Sequence, residues 1–279
     1  MSTVVESRTT LVALQGLRSA NSDAAKASER LATGLKVNRA GDDPAGLAKA
    51  TALKAEITSY SQVKKNIGNA LSQLGDVTTG VSTILDYLTE MRTLAVASAG
   101  EADENVRKSY AAQFNELTSS INEITSSVKF NGALVIGTGA GSTSVQVGIY
   151  GTAGDSKSLS FSAASASALG VTSGVVSVSA TADANTAIAL IDTAIDTLGT
   201  HLAKYGAYER SLESYMDMAD ASILSKSSQY GEIMNTDLAL EATNLAAAKI
   251  RQDSATAVLA QANSMNRNIA DYLLNGALG

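Results

Sequence analysis

Four groups of residues in this chain have types and spacings that enzymes use. The first is His201, the single histidine among 279 residues. A zinc-protease helix needs two histidines on one face, so that motif is absent. A lone histidine on a helix is more often a surface or packing residue. The second is the stretch Val135-Ile136-Gly137-Thr138-Gly139-Ala140-Gly141-Ser142, which imitates a dinucleotide fingerprint. That fingerprint needs a third glycine where Ser142 stands, and a helix after it. Here the alternating Ser144-Val145-Gln146-Val147 follows instead, so a glycine-rich hairpin turn is the better reading. The third is the carboxylate pair Asp42-Asp43, which stands directly before Pro44 and reads as a helix cap. The fourth is Tyr205, Tyr208 and Tyr215, a helical stripe that suits core or interface better than a cofactor. With no cysteine, disulfides and thiolate metal sites are excluded. No catalytic residue, cofactor site or metal site is expected.

The elements that would carry such residues are unusual. The chain has 1 proline, 22 glycines, no tryptophan and 4% aromatics. Its apolar fraction is therefore mostly Ala, Leu, Val and Ile, which suits long helices packed closely together. Proline ends helices, so a nearly proline-free chain can run them far. A net charge of −6 with both signs interspersed argues against nucleic acid as the main partner. No run of about 20 apolar residues is present, so no membrane insertion is expected. The start Met1 to Arg8 lacks the basic and apolar regions of a cleavable signal peptide.

Residues 3 to 36 read as a helix. Leu14, Leu17, Asn21, Ala24, Ser28, Leu31 and Leu35 recur at steps of three and four, the period of a coiled-coil seam. Gly34 and then Gly41-Asp42-Asp43-Pro44 break it. Asp43 suits an N-cap and Pro44 the first helical position. A second helix follows, with Leu53, Ile57, Tyr60 and Val63 leading into a stripe that continues to Ala95. From Pro44 to Ser98 it would reach roughly 80 Å. After a turn at Gly100 to Glu104, a third helix carries Val106, Tyr110, Phe114, Leu117, Ile121, Ile124 and Val128. Residues 130 to 182 hold two charged residues, Asp155 and Lys157, and are rich in Ser, Thr and Gly. Val145 to Ile149 alternates like a strand, and Val175 to Val178 gives a weaker strand signal. Helical spacing returns from Ala187 to about Ser228. The last segment, from about Thr236, steps three and four through Leu245, Ala248, Gln252, Ala255, Leu259, Ala262, Asn266, Ile269 and Leu273.

The expected fold is mainly α: a long antiparallel helical rod with terminal coiled-coil helices and a small β-hairpin region in the middle. Residues 1–40 and 236–279 would form the terminal coiled coil, 41–129 and 183–235 the rod, and 130–182 the β region. Neither end can bury its seam alone, so both invite assembly. Gln252 and Asn266, polar on the seam, would set register.

The motifs resemble those of the flagellin family. Glu29-Arg30-Leu31-Ala32-Thr33-Gly34-Leu35-Lys36-Val37-Asn38 is similar to its N-terminal signature, and Asp42-Asp43-Pro44-Ala45-Gly46 follows where the family carries an acidic pair. Met91 to Val96 and Lys129-Phe130-Asn131-Gly132 resemble its rod stretch and the close of its third helix. Glu241-Ala242-Thr243-Asn244-Leu245 and Val258-Leu259-Ala260-Gln261-Ala262-Asn263 resemble its C-terminal signature. Two departures stand out: Val4-Val5-Glu6-Ser7 replaces the usual start, and the tail from Leu273 to Gly279 is longer than usual.

The resemblance implies a structural subunit of the bacterial flagellar filament, with paired termini lining an inner tube and a small outward-facing middle. It implies a homopolymer of flagellin subunits. It also implies dealings with an export chaperone, the filament cap and hook-associated proteins. Export would run through the flagellar type III apparatus to the extracellular flagellum. Arg92, Leu94 and Glu116 match a patch that an innate Toll-like receptor reads in some relatives, near Glu90, where many flagellins carry a basic or neutral residue. Two rival readings are a hook-filament junction protein of the same plan and an enzyme with its site in the middle region. The first is disfavoured by the run at 258 to 263, the second by the scarcity of charged residues from 130 to 182.

Overall fold

The computed structural model of the chain describes residues 2–276, apart from 131, 132, 139, 174 and 175. Five helices account for most of it: α1 (Ser2–Thr33), α2 (Pro44–Gly100), α3 (Glu104–Ser127), α4 (Thr181–Met234) and α5 (Leu238–Gly276). Between α3 and α4 lie four short strands, β1 (Lys129–Phe130), β2 (Ala133–Leu134), β3 (Ser142–Gln146) and β4 (Ser156–Ser160). They form two antiparallel hairpins, β1 with β2 and β3 with β4. The protein is mainly α, and it divides into two compact units.

The unit Glu56–Leu224 is organised by a heptad stripe on α2. Val63, Ile67, Ala70, Leu74, Val77, Val81, Ile84, Leu88, Met91 and Ala95 alternate at four and three residues, and all are buried. This 3.5-residue period keeps one side of a helix against its partners along its whole length. Opposite it come Ile191, Leu198, Tyr205 and Leu212 of α4, with Phe114 and Ile121 of α3, in the same core. Ion pairs join Lys64 to Asp220 at 2.7 Å and Arg92 to Asp192 at 2.6 Å. The α2 number rises as the α4 number falls, so the two helices are antiparallel. The turn expected at Gly100 to Glu104 is present. Asp103 caps α3 by accepting the Asn105 N–H at 2.8 Å, and the Arg107 guanidinium donates to the carbonyls of Glu101 and Ala102, both at 2.9 Å.

The β3–β4 hairpin is fastened to α4 through tyrosines. The Ser162 N–H donates to Tyr205 Oη at 3.1 Å and the Ser160 N–H to Tyr208 Oη at 3.4 Å. The Phe161 and Tyr205 rings lie 5.8 Å apart, tilted by 55°. The tyrosine stripe is therefore core at Tyr205 and half-buried packing at Tyr208 and Tyr215. The glycine run is not the expected hairpin turn: it leads from β2, which pairs with β1, into β3, which pairs with β4. The weaker strand signal fails: Val176 and Val178 belong to no strand, and Val175 lies outside the described residues. The valines are buried by packing, while the Val178 carbonyl accepts the Ser98 hydroxyl and the Val176 N–H donates to Thr172 O. Asn131 and Gly132 also lie outside the described residues.

The other unit is built from both ends of the chain, Met1–Ala55 and Ser225–Gly279. Its α2 start follows the cap logic of the sequence. Asp43 Oδ1 accepts the Gly46 N–H at 2.8 Å, with Pro44, the chain's single proline, at the first position, where its missing N–H costs nothing. A side chain at Gly46 would collide with this cap, since its Cβ would lie 2.1 Å from Asp43 Oδ2. Asp42 closes the preceding turn, accepting the N–H groups of Asn38 at 3.1 Å and Arg39 at 3.0 Å. The Arg39 and Asn38 backbone hydrogen bonds hold its carboxyl below the usual carboxylate range. Asp43→Ala is expected to cost about 1 kcal/mol, the usual loss for an N-cap, read as a lower urea midpoint.

Candidate assembly interface

In the two-ended unit α1 lies against α5. The Arg30–Glu241 pair at 2.9 Å and the Arg251–Asp23 pair at 3.1 Å fix the arrangement as antiparallel. Between them runs a seam of small residues. Ala13, Ala20 and Ala27 of α1 are buried, with Leu17, Ala24 and Leu31 half-buried between them. From α5 come Glu241 and Ala248, both buried, with half-buried Leu245, Gln252, Ala255, Leu259 and Ala262. Steps of four and three hold on both sides.

The α1 stripe differs from the expected one by one residue. The sequence pattern puts Leu14, Asn21 and Ser28 on the seam beside Leu17, Ala24 and Leu31. In the structure Ala13, Ala20 and Ala27 take those places, and Leu14, Asn21 and Ser28 are exposed. Both sets share the central column, and alanine allows closer approach of the two backbones. On α5, Asn266 is exposed rather than seam-bound, while Gln252 keeps its place. The side chains of Ile269 and Leu273 lie outside the described residues. Leu35 is not on the helix at all. Gly34 adopts φ +71°, a left-handed conformation that ends helices, and Leu35 pairs with Asn235 in an antiparallel bridge. The Lys36 N–H donates to Met234 O at 2.6 Å and the Thr236 N–H to Gly34 O at 3.0 Å. Leu35 there packs on a small cluster of Val37, Ala50 and Met234.

Glu241 is the polar anchor of the seam. It stands in the first turn of α5, behind the Asp237 cap, whose Oδ1 accepts the Ala239 N–H at 2.9 Å. Its side chain is 7% exposed, against 32% for Arg30. Besides Arg30 it accepts from Asn244 Nδ2 at 3.3 Å and Thr236 Oγ1 at 3.5 Å. Burial acts to raise its pKa, but the Arg30 and Asn244 hydrogen bonds and the Arg30 charge outweigh it and hold the carboxyl below its usual range. Folded Glu241 thus binds a proton less readily than unfolded Glu241. Its contribution is complete above the unfolded pKa of about 4.3 and is lost as the pH falls through the lower folded value. Glu241→Gln will lower stability at neutral pH and flatten the acid decline below pH about 4, measured by urea unfolding across that range.

Elsewhere the candidate residues stay apart. His201 is half-buried on α4, its ring 6.3 Å from that of Tyr205, and its Nδ1 has no partner among the described residues. Burial, then the Lys204 charge, lowers its pKa. Arg92 is engaged with Asp192, Leu94 is half-buried and Glu116 is exposed. Among the described residues no helix is long and apolar enough to cross a membrane, and no three His, Asp or Glu side chains gather as metal ligands.

The family model of the bacterial flagellin N-terminal helical region matches residues 6–137, and that of the C-terminal helical region matches residues 188–273. The flagellar filament 31.3 kDa core protein of Treponema maltophilum is 28% identical over 262 residues, covering 89% of this chain and 92% of that protein. A flagellin of Halalkalibacterium halodurans is 27% identical over 251 residues, covering 89% and 91%. The crystal structure of Bacillus cereus flagellin aligns over 55% of this chain and 88% of its own, at 25% identity and a TM-score of 0.49. The two models match in chain order, the first running through β1 and β2 and the second starting within α4, and the relatives' matches extend across the region between them. The chain belongs to the bacterial flagellin family.

Proposed function

We propose that this chain is the structural subunit of a flagellar filament, joined to its neighbours through the paired terminal helices. The observation that carries the reading is the apolar surface left after α1 and α5 have covered each other. Leu11 (62% exposed) and Val12 (69%) on α1, and Leu240 (58%), Ile250 (66%), Val258 (53%) and Met265 (48%) on α5, remain in solvent. Leu240, Ala247, Val258 and Met265 follow one another at intervals of 7, 11 and 7 residues, so they line one side of α5, roughly a quarter turn from its α1-facing stripe. Soluble monomers rarely carry such a surface without a partner. Burying it against further copies, at about 25 cal/mol per Å², favours growth, and head-to-tail contacts need not close.

In this reading residues 1–40 and 236–279 form the filament's inner tube. Residues 41–129 and 183–235 surround it, and 130–182 face outward. The subunit does mechanical rather than catalytic work. It reaches the extracellular flagellum through type III export, with a chaperone before secretion and the cap and hook-associated proteins at the filament's ends. Arg92, Leu94 and Glu116 are the positions at which an innate receptor would read it.

The test is seeded growth. Full-length chain and a chain lacking residues 1–36 and 236–279 are each added to sheared filament ends and followed by negative-stain electron microscopy. The full chain is expected to extend the seeds as uniform tubes while the truncated chain stays monomeric. Equal growth by the truncated chain overturns the role of the termini, and capping of the seeds without growth points to a junction protein.

A further inference from the structure

The β3–β4 hairpin has two outer edges, finished in different ways. The Phe161 N–H donates to Gly141 O at 3.0 Å and the Val147 N–H to Asp155 O at 2.6 Å. In an antiparallel ladder hydrogen-bonded pairs alternate, so odd-numbered residues 141 to 147 turn their N–H and C=O groups toward β4. Those of Ser142, Ser144 and Gln146 turn away from it. On β4 the outward Ser160 N–H goes to Tyr208 Oη of α4 and, just beyond the strand, the Ser162 N–H goes to Tyr205 Oη, while the outward N–H groups of Ser156 and Ser158, opposite Gln146 and Ser144, meet no partner among the described residues. On β3 the outward groups of Ser144 and Gln146 meet no hydrogen-bond partner among the described residues.

Free edges are usually blunted by lysine, proline or a bulge. β3 reads Ser-Thr-Ser-Val-Gln and pairs with β4 in unbroken register, so it carries none of these. Beside it runs a cleft of about 280 Å³, floored by α2. Asn66, Asn69 and Gln73 line it from the helix, and Thr143, Ser144 and Gln146 from the strand, with no charged side chain. Gln73 is 4% exposed and makes one long hydrogen bond, 3.4 Å from Nε2 to Thr143 Oγ1.

The geometry points to a strand-docking site: an uncharged, extended peptide segment adds to the β3 edge as a third strand. It would exchange backbone hydrogen bonds with Ser144 and Gln146, and its small polar side chains would meet the amides of Asn69 and Gln73. The edge requires a peptide backbone, because only a strand offers donors and acceptors at every second residue along it. The uncharged lining selects the side chains, since a charge brought into the cleft loses water and gains no counter-ion. This inference does not depend on the filament reading.

The probe is a blocked heptapeptide of Ser, Thr, Val and Gly, titrated to millimolar concentration into full-length monomer, with amide exchange followed by NMR. The Ser144 and Gln146 amides are expected to exchange about tenfold more slowly when bound. Two variants should abolish this slowing at Gln146. Ser144→Pro removes an outward N–H that an edge strand can lose without harm to the ladder, and Asn69→Asp puts a charge in the cleft. No slowing at any concentration overturns the proposal. So does equal slowing by a peptide with lysine at alternate positions. Slowing that follows the protein's own concentration without peptide shows that a second copy takes the edge, and overturns it as well.

Discussion

Replacing Ala20 and Ala27 together by leucine will separate α1 from α5 and slow seeded filament growth by about a hundredfold or more, while residues 56–224 stay folded. Ala20 is 1% exposed and Ala27 4%, so neither position has room for a larger side chain at the present helix spacing. Overpacking a closed site costs about 1–3 kcal/mol, and every 1.4 kcal/mol is a factor of ten in an equilibrium. The matched control is Asn21→Leu with Ser28→Leu, which places the same two leucines at exposed positions of the same helix. Amide exchange in α1 separates the two cases: it should rise in the alanine variant and stay unchanged in the control. The reverse pattern would return the seam to Leu14, Asn21 and Ser28.

Tyr205→Ala will be among the most damaging single changes to the unit Glu56–Leu224, at about 3–5 kcal/mol, the usual range for loss of a large buried ring. Tyr205 has no exposed surface. Its ring packs on Phe161, its hydroxyl accepts the Ser162 N–H, and burial pushes its phenol up, so it stays protonated. Tyr205→Phe keeps the packing and leaves the Ser162 N–H unpaired, a loss of about 1–3 kcal/mol. Urea unfolding of both variants should place phenylalanine well above alanine. Equal losses would mean that the hydroxyl, not the ring, holds the hairpin on α4.

The contrast between α2 and α1 shows what a heptad pattern conveys. On α2 the large residues from Val63 to Ala95 admit one stripe, and that stripe is the buried one. On α1 two stripes share Leu17, Ala24 and Leu31. Hydrophobicity favours the one with Leu14, whereas close helix approach favours Ala13, Ala20 and Ala27. Size, not polarity, decides it, and a pattern of apolar residues does not weigh how closely a helix will be approached. The start of α2 was legible because it has a local cause, the Asp43-Pro44 cap, whereas α4 runs from Thr181 to Met234, further at both ends than the spacing from Ala187 to about Ser228 showed.

Glu241 and Arg30 stand in two of the motifs that carried the family resemblance, yet their pairing was not legible. They are 211 positions apart, and only the antiparallel arrangement of α1 and α5 brings them together. β4 was missed for a different reason. In Ser-Lys-Ser-Leu-Ser only Leu159 is apolar, and a single buried side chain leaves no alternation to detect. The valines at 176 and 178 err the other way: they have the composition of a strand, but their backbone finds partners in a side chain and a turn.

The two-ended unit also bears on the order in which the chain folds. Glu56–Leu224 is continuous in sequence and can condense while either end is still unstructured. The α1–α5 pair must close a loop of roughly 200 residues, and the entropy cost of closure grows as the logarithm of loop length. Contacts so distant in sequence form slowly when formed directly. Once the continuous unit is in place, most of that loop is already fixed and the remaining search is short. The terminal helices are therefore expected to be the last part of the chain to find each other, with the Arg30–Glu241 contact forming late.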